Sequence, residues 1–240
     1  MANYKIKLKG RSEVAAGTMA FHFEKPVGFT FVAGQAGDFI LPNPPENDHE
    51  GNKRSFTLAC APYENEIAIA TRMRDTAFKR SLKQIDLGTE LELDGPWGEL
   101  TLHEDAKTPA VFLTGGIGIT PVRSIVLQAT HDKLPHHIFA FYSNRTPQDA
   151  AFLDELNAAQ KANSNFTLIA TMTEMGSSSN AWSGETGYID EAMLKKHLSD
   201  LQKPIYYISG PPEMVGAMQK LLKKAGVNDP NIRTEEFSGY

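Results

Sequence analysis

The sequence predicts a chain of two parts: an N-terminal six-stranded antiparallel β-barrel over residues 1–104 and a C-terminal five-stranded parallel α/β domain over residues 105–240. Short runs of alternating apolar and polar residues fill the first hundred positions, as in half-buried strands. Apolar runs then alternate with helical patterns, which is typical of a parallel sheet covered on both faces. A glycine-rich segment, residues 114–121, joins the first strand and helix of the second part.

The barrel strands are short and separated by Gly, Pro and Asn. Tyr4, Ile6 and Leu8 alternate with lysines, and residues 19–24 repeat the pattern with Met and Phe. Further strands are predicted at residues 38–41, 55–60, 67–72 and 90–93. Residues 76–85 are expected to form a short helix before the last strand, and such insertions are often where a barrel opens to a ligand.

The second part alternates strands with helices. Strands are predicted at residues 110–113, 138–142, 166–171, 205–208 and 232–236. Helices are predicted at residues 122–130, 148–161, 191–197 and 213–225. Ligands of such sheets bind outside the carboxyl ends of the strands, which is where the glycine-rich segment lies.

The glycine-rich segment reads Thr114-Gly115-Gly116-Ile117-Gly118-Ile119-Thr120-Pro121. Glycines let the backbone approach a phosphate, and the first amides of a following helix favour an anion. Proline is well tolerated in a first helical turn. The glycines alone fit a phosphate cradle and an ordinary tight turn equally well, whereas the flanking strand and helix favour the cradle. The spacing is not G-x-G-x-x-G, so the segment by itself does not name the ligand.

Composition excludes several classes of function. The net charge is -5 without a basic cluster, so nucleic acid and acidic membranes are not expected as main partners. Cys60 is the single cysteine, which excludes an internal disulfide and a four-cysteine metal or iron-sulfur site; we interpret it as a core residue. We predict no metal site, no membrane span and, because residues 1–10 do not resemble a signal peptide, a cytoplasmic location.

Arg54-Ser55-Phe56-Thr57 begins a predicted barrel strand. An arginine, an aromatic face and a hydroxyl at neighbouring positions suit a planar, phosphorylated ligand. A surface arginine beside a core phenylalanine is the ordinary alternative.

The order of the motifs along the chain favours a ligand-binding role for residues 54–57. After the R-x-F-T motif and the short helix come Gly95-Pro96-Trp97-Gly98, the glycine-rich segment, Ser209-Gly210-Pro211-Pro212-Glu213-Met214 and Glu235-Glu236-Phe237-Ser238-Gly239-Tyr240. This succession resembles the ferredoxin-NADP reductase-like flavoenzymes over essentially the whole chain, in a stand-alone form without an iron-sulfur domain. The resemblance implies a flavin-binding barrel and a nicotinamide-nucleotide domain, with hydride passing between the two cofactors at their interface.

The resemblance also implies roles for barrel residues. Arg54 would pair with the flavin pyrophosphate, and Phe56, where the family usually has Tyr, would pack along the flavin. Thr57 would hydrogen-bond flavin N5, which makes it a catalytic residue. The remaining cofactor-binding residues of this half are Ser55, Arg72 and the clamp Thr76, Ala77, Phe78 and Lys79, where the family often has Ser in place of Lys79.

In the second part, the resemblance assigns the pyrophosphate of the nicotinamide coenzyme to Gly115, Gly116, Gly118 and Thr120, with Thr114 and Pro121 as further cofactor-binding residues. Gly210 and Pro211 would lie by the nicotinamide, next to Ser209 as a catalytic residue in a position where many relatives have Cys, and Met214 is a further cofactor-binding residue. A terminal aromatic residue shields the flavin in this family. Phe237 has the Glu-x-aromatic spacing, and we place Tyr240 ahead of it because a chain terminus moves aside more easily.

The choice of coenzyme depends on the residues after the second strand. NAD sites commonly have a carboxylate there and NADP sites an arginine. Asn144 and Arg145 follow that strand, and no acid occurs before Asp149, which favours NADP(H) over NAD(H). An arginine that only solvates the turn is the alternative.

The resemblance implies an FAD-dependent NAD(P)H oxidoreductase that passes electrons to a separate acceptor, namely ferredoxin, flavodoxin, an oxygenase component or a small molecule. FAD is preferred to FMN because both pyrophosphate motifs are present. One alternative is a reductase of free flavin or ferric chelates. Another is a non-autonomous electron-transfer or nucleotide-sensing subunit, an interpretation that Ser209 in place of Cys keeps open.

Overall fold

The structure, a computed structural model, describes residues 2–177 and 182–237 and contains two six-stranded sheets. The first sheet is antiparallel, with the strand order β4-β3-β6-β1-β2-β5. Its strands are β1 (Ala2–Ala15), β2 (Thr18–Glu24), β3 (Ala36–Ile40), β4 (Lys53–Thr57), β5 (Glu66–Arg72) and β6 (Glu90–Trp97). The predicted six antiparallel strands are therefore confirmed.

The first sheet curls into a barrel. β1 is long enough to pair with two strands, since its first residues pair with β6 and the rest with β2. The edges meet just after β4, where the Ala59 amide donates to the Ala68 carbonyl of β5 at 2.8 Å. Phenylalanines fill the interior, as the alternating pattern predicts, and Phe21, Phe23 and Phe39 are completely buried. Helix α1 (Ala77–Gln84) places Phe78 in the same core.

The second sheet is parallel, with the strand order β10-β9-β8-β7-β11-β12. Its strands are β7 (Ala110–Gly115), β8 (Ile138–Asn144), β9 (Phe166–Met172), β10 (Glu185–Thr186), β11 (Ile205–Gly210) and β12 (Ile232–Glu236). The prediction of five strands was wrong by one. β10 has only two residues, which is too short for any periodicity, and it forms because Glu185 and Thr186 pair with the end of β9.

Four helices cover this sheet within the described residues: α2 (Ile119–His131), α3 (Leu153–Ala162), α4 (Glu191–His197) and α5 (Pro212–Lys224). The predicted helix 148–161 is wrong at its start. A short 3-10 turn, Pro147–Asp149, is capped by Thr146, and Phe152 then has a φ of 60°, which breaks the helical path. α3 begins only after that residue.

Polar contacts from α2, which covers the parallel sheet, join that sheet to the barrel. Arg123 of α2 donates to the Ala59 carbonyl at 2.7 Å and to Glu64, and it also pairs with Glu155 of α3. The neighbouring Ser124 hydroxyl donates to the Cys60 carbonyl at 2.6 Å. Because α2 starts at the glycine-rich segment, these bonds set the position of that segment relative to the barrel.

The division of the chain at residues 104 and 105 stays a prediction. In the described ranges, no helix is both long and apolar enough to cross a membrane.

Cys60 is buried in the barrel core, and burial raises the pKa of its thiol to about 12.

Candidate active site

A cavity of about 430 Å³ lies where the barrel meets the glycine-rich segment. Residues of both sheets' layers line it, including many that the sequence singles out: Arg54, Ser55, Phe56, Thr57, Arg72, Thr76, Lys79, Thr120 and Phe237. The fold thus gathers β4, the end of β5, the start of α1, the start of α2 and the end of β12 around one space.

Four cations line this cavity: Arg54, Arg72, Arg74 and Lys79. Burial, together with the charges of Arg74 and Arg54, lowers the pKa of Lys79 to about 8. The Lys79 ammonium donates to the Arg72 carbonyl at 2.8 Å. A group of like charges this close favours the binding of an anion, since an anion relieves their mutual repulsion.

Arg54 is held by the segment that precedes it. Its Nη1 donates to the carbonyls of Glu50, Gly51 and Lys53 at 2.7 to 3.0 Å, and its Nη2 reaches carboxylate oxygens of Asp48 at 3.3 Å and Glu50 at 2.7 Å. The guanidinium also lies over the Phe78 ring, 5.3 Å from its centroid. Arg54 therefore faces the cavity in a fixed orientation.

The start of α1 forms the next wall. Thr76 caps the helix by accepting a hydrogen bond from the Lys79 amide at 3.4 Å, while its own amide donates to the Arg74 carbonyl. The Ala77 amide donates to Asp48 Oδ2 at 3.2 Å. Ala77 and Phe78 are themselves buried, so any contact that they make with a cofactor would come from the backbone.

The two hydroxyls of the R-x-F-T motif differ in environment. Ser55 donates to Asp38 across the strand pair and is exposed. Thr57 is 4% exposed and lines the cavity, yet its Oγ1 has no hydrogen-bond partner among the described residues. A buried hydroxyl without a partner costs about 1–3 kcal/mol, which a ligand able to bond it would recover. Phe56 packs between Phe39 and Phe78 at centroid distances of 5.8 and 5.9 Å.

The glycine-rich segment turns tightly into α2. Gly116 has a φ of 54°, a conformation that favours glycine, and Gly116–Gly118 form a single 3-10 turn. Thr120 donates its hydroxyl to the Ile117 carbonyl at 3.1 Å, and Pro121 lies in the first turn of α2. The predicted strand, glycine turn and helix are all present.

Ser209, at the end of β11, is completely buried against this segment. Its Oγ donates to the Gly118 carbonyl at 2.8 Å and lies 3.2 Å from Thr114 Oγ1. A Cβ on Gly118 would lie 2.3 Å from the Ser209 carbonyl oxygen, so the two backbones meet where only glycine fits. The structure thus directs the Ser209 hydroxyl to the glycine turn, and its predicted role beside the nicotinamide stays a prediction.

Gly210, Pro211 and Met214 follow on the same side of the sheet. A Cβ built on Gly115 would lie 2.4 Å from Met214 Sδ and 3.6 Å from Pro211 Cδ, so these side chains cover the glycine turn. The Phe237 amide donates to the Gly210 carbonyl at 3.0 Å, and Phe237 lines the cavity. Tyr240 lies outside the described residues, so the choice between these two aromatics stays a prediction.

The predicted coenzyme-selecting residues lie at the end of β8. Arg145 has a side chain that is 66% exposed, and its Nε lies 3.9 Å from a Glu174 carboxylate oxygen. Asn144 is buried, and neither polar atom of its side chain has a hydrogen-bond partner in the described part of the chain. The Arg145 side chain is therefore accessible to a phosphate, whereas that of Asn144 is not.

Sequence reasoning missed several residues. Asp48 and Glu50 contact Arg54 through a loop that has no motif, and Arg123 lies on a helix face that looks like ordinary core. Glu235, quoted only as part of the terminal motif, pairs with Ser209 across β11 and β12, and burial raises the pKa of its carboxyl to about 7. For Glu235, the sequence signal was its Glu-x-aromatic spacing from Phe237; the sequence had no comparable signal for the other residues.

Comparison with known proteins agrees with this arrangement. Residues 112–220 match the family described as the oxidoreductase NAD-binding domain. The reductase component of propane 2-monooxygenase from Rhodococcus jostii is 28% identical over 220 residues, which covers 89% of this chain and 57% of that protein. One subunit of the Na(+)-translocating NADH-quinone reductase of Serratia proteamaculans is 31% identical over 156 residues, or 63% of this chain and 38% of that protein.

Solved structures show the same fold. The FAD/NAD-binding domain of nitric oxide dioxygenase from Vibrio cholerae superposes with a TM-score of 0.84 at 17% identity, covering 97% of this chain and 98% of that chain. The ferredoxin NADP+ reductase from Neisseria gonorrhoeae, solved with bound FAD and NADP, superposes with a TM-score of 0.79 at 20% identity and covers 98% of both chains.

The family match identifies an oxidoreductase NAD-binding domain in residues 112–220, the part of the chain that contains the glycine turn. The chain has the fold seen in that FAD/NAD-binding domain and in that ferredoxin NADP+ reductase, so the expected resemblance is supported at the level of the fold. It spans about half the length of the curated relatives it matches, at 57% and 38% of the two named above.

Proposed function

We propose that this chain takes hydride from NAD(P)H onto a bound FAD and passes the electrons to a separate acceptor. The observation that carries the proposal is the cavity between the barrel and the glycine turn, which combines four cations with the hydroxyl of Thr57, a group without a hydrogen-bond partner in the described part of the chain. A phosphorylated ring system with a hydrogen-bonding edge satisfies both features.

In this proposal, the residues of the chain bind the FAD and orient it. Arg54 and the first amides of α1 would hold a pyrophosphate, Phe56 would pack along a flat ring, and Thr57 would make one hydrogen bond to its edge. FAD supplies the redox chemistry when it is bound. The main contribution of the protein is proximity, because a hydride step needs no strong acid or base.

The glycine turn and the start of α2 are proposed to hold the coenzyme pyrophosphate, with Gly210, Pro211 and Met214 near the nicotinamide. The exposed Arg145 supports NADP(H) over NAD(H), since its guanidinium is free to meet a 2′-phosphate apart from one long contact with Glu174. Phe237 or Tyr240 would shield the flavin until the nicotinamide arrives.

For the acceptor we propose a small electron-carrier protein, namely a ferredoxin, a flavodoxin or an oxygenase component. The relative from Rhodococcus, a reductase component of propane 2-monooxygenase, supports the last of these. The second candidate function, reduction of free flavin or ferric chelates, is favoured by Arg54, whose terminal nitrogens already have acceptors within the chain. A non-autonomous role within a larger complex is supported by the likeness to one component of the NADH-quinone reductase.

The first experiment is the visible spectrum of the purified chain after incubation with FAD, followed by anaerobic addition of NADPH and, separately, NADH. A flavin spectrum that either coenzyme bleaches would support the proposed half-reaction, and the faster coenzyme would identify the physiological donor. A chain that retains no flavin and shows no change in flavin fluorescence would refute the proposal.

The Arg54→Ala variant tests the site itself. We expect it to lower FAD affinity at least tenfold, because it removes a charge-assisted phosphate contact. Equal FAD affinity of Arg54→Ala and the unmodified chain, measured by titration, would show that the cavity is not the flavin site.

A further inference from the structure

An acidic segment between β3 and β4, residues 46–50, lies over the anion-binding groups of the cavity. Its Asp48 and Glu50 carboxylates both pair with Arg54 Nη2, at 3.3 and 2.7 Å. The second oxygen of Asp48 accepts the Ala77 amide at 3.2 Å, at the start of α1. One carboxylate therefore bridges the arginine and the helix start, which are the two groups assigned to the flavin pyrophosphate.

These contacts leave Arg54 little capacity for another anion. Its two terminal nitrogens carry four N–H groups, and they make five hydrogen bonds to acceptors of the segment, of Gly51 and of Lys53. A phosphate that bonds Arg54 must therefore displace a carboxylate or share the guanidinium with it. In either case the phosphate meets negative charge at close range, which weakens its binding.

Asp48 carries a negative charge when a phosphate approaches Arg54. Although partial burial acts in the opposite direction, hydrogen bonds from the Glu50 and Ala77 amides and the Arg54 charge hold the pKa of Asp48 below its usual range. The segment thus presents a permanent anion to the phosphate site at neutral pH.

We propose that Asp48 and Glu50 compete with the flavin phosphates for Arg54 and the start of α1, and so determine the affinity for flavin. This inference rests on the proposed function. It means that the chain holds its flavin weakly and exchanges it with solution. The competing view is that the two carboxylates only orient Arg54, in which case their removal weakens flavin binding.

The test measures flavin affinity in Asp48→Asn and Glu50→Gln, each alone, by titration followed through flavin fluorescence. FAD, FMN and riboflavin are compared, because riboflavin has no phosphate. We expect FAD and FMN to bind about tenfold more tightly to each variant, with riboflavin unchanged. The gain of Glu50→Gln should vanish when Arg54→Ala is added, since Arg54 is the group that the Glu50 carboxylate binds, whereas Asp48→Asn should keep part of its gain because Asp48 also accepts the Ala77 amide.

Glu46→Gln is the matched control. It removes the same charge from the same segment, but Glu46 pairs with Arg80, which is not part of the cavity lining. This variant should leave all three affinities unchanged.

Three results would overturn the inference: weaker or equal binding of FAD and FMN to both variants, an equal gain for riboflavin, or an equal gain in Glu46→Gln. Glu50 has a side chain that is 54% exposed, so Glu50→Gln tests the idea even where Asp48→Asn harms folding. Failure of the proposed function has a separate signature, which is the absence of flavin binding in every variant and in the unmodified chain.

Discussion

Replacing Gly118 by alanine tests whether the glycine turn must touch β11. The new Cβ would lie 2.3 Å from the Ser209 carbonyl oxygen, 2.6 Å from its carbonyl carbon and 2.8 Å from the Gly210 Cα. All three are backbone atoms, so no side chain can rotate away. Gly118 has a φ of −58°, which alanine adopts without strain, so steric overlap is the main cost.

The magnitude follows from these distances. The two backbones must separate by about 1 Å to reach ordinary contact, which also stretches the hydrogen bond from Ser209 Oγ to the Gly118 carbonyl. Overpacking of this kind costs about 1–3 kcal/mol and the buried hydrogen bond about 1 kcal/mol more. We therefore expect Gly118→Ala to lower the free energy of unfolding by about 2–4 kcal/mol.

Urea denaturation followed by circular dichroism measures this difference, and a coenzyme titration shows whether the displaced turn still binds NADPH. Gly216→Ala is the control, because Gly216 lies inside α5 and a Cβ added there would meet no heavy atom within 4 Å apart from the neighbouring backbone of that helix. Alanine there should stabilise the chain by about 0.5–1 kcal/mol. Unchanged stability and unchanged coenzyme affinity in Gly118→Ala would refute the close approach of the two backbones.

Three further variants test the site. Thr57→Val should leave the free energy of unfolding unchanged or raise it, because an unpartnered hydroxyl is removed, yet slow flavin bleaching about tenfold in stopped-flow experiments; a clear loss of stability would contradict the environment described for Thr57. Arg145→Ala should raise the apparent dissociation constant for NADPH far more than for NADH, and equal effects would remove the NADP assignment. Burial raises the pKa of Glu235 from its ordinary 4.5 to about 7, so the folded chain keeps a proton that the unfolded chain releases. Its contribution to stability should fall as pH rises from about 4.5 to 7 and stay constant above, and Glu235→Gln should flatten that slope in urea titrations, whereas an unchanged slope would assign it to other groups.

Local patterns were sufficient for most of the fold. Alternation at Tyr4, Ile6 and Leu8 predicts a half-buried strand, and the apolar run 138–142 predicts a strand buried on both faces; both are present. The strand, glycine turn and helix around residues 114–121 were likewise readable, because the signal lies within a few consecutive residues.

Elements without a local signal were missed. β10 is defined only by its pairing with β9, and the delayed start of α3 depends on the left-handed conformation of Phe152. Neither property can be derived from hydrophobic periodicity, because each is imposed by a neighbouring segment.

The sequence by itself singled out the candidate residues of the site: Arg54, Thr57, the glycine turn and the Ser209 segment. Only the tertiary structure decided their environments. It placed Asp48 and Glu50 on Arg54, left the Thr57 hydroxyl without a partner among the described residues and directed Ser209 to Gly118. The physical reason is that hydrogen bonding, burial and pKa depend on atoms that meet through chain folding, between residues as far apart as Gly118 and Ser209.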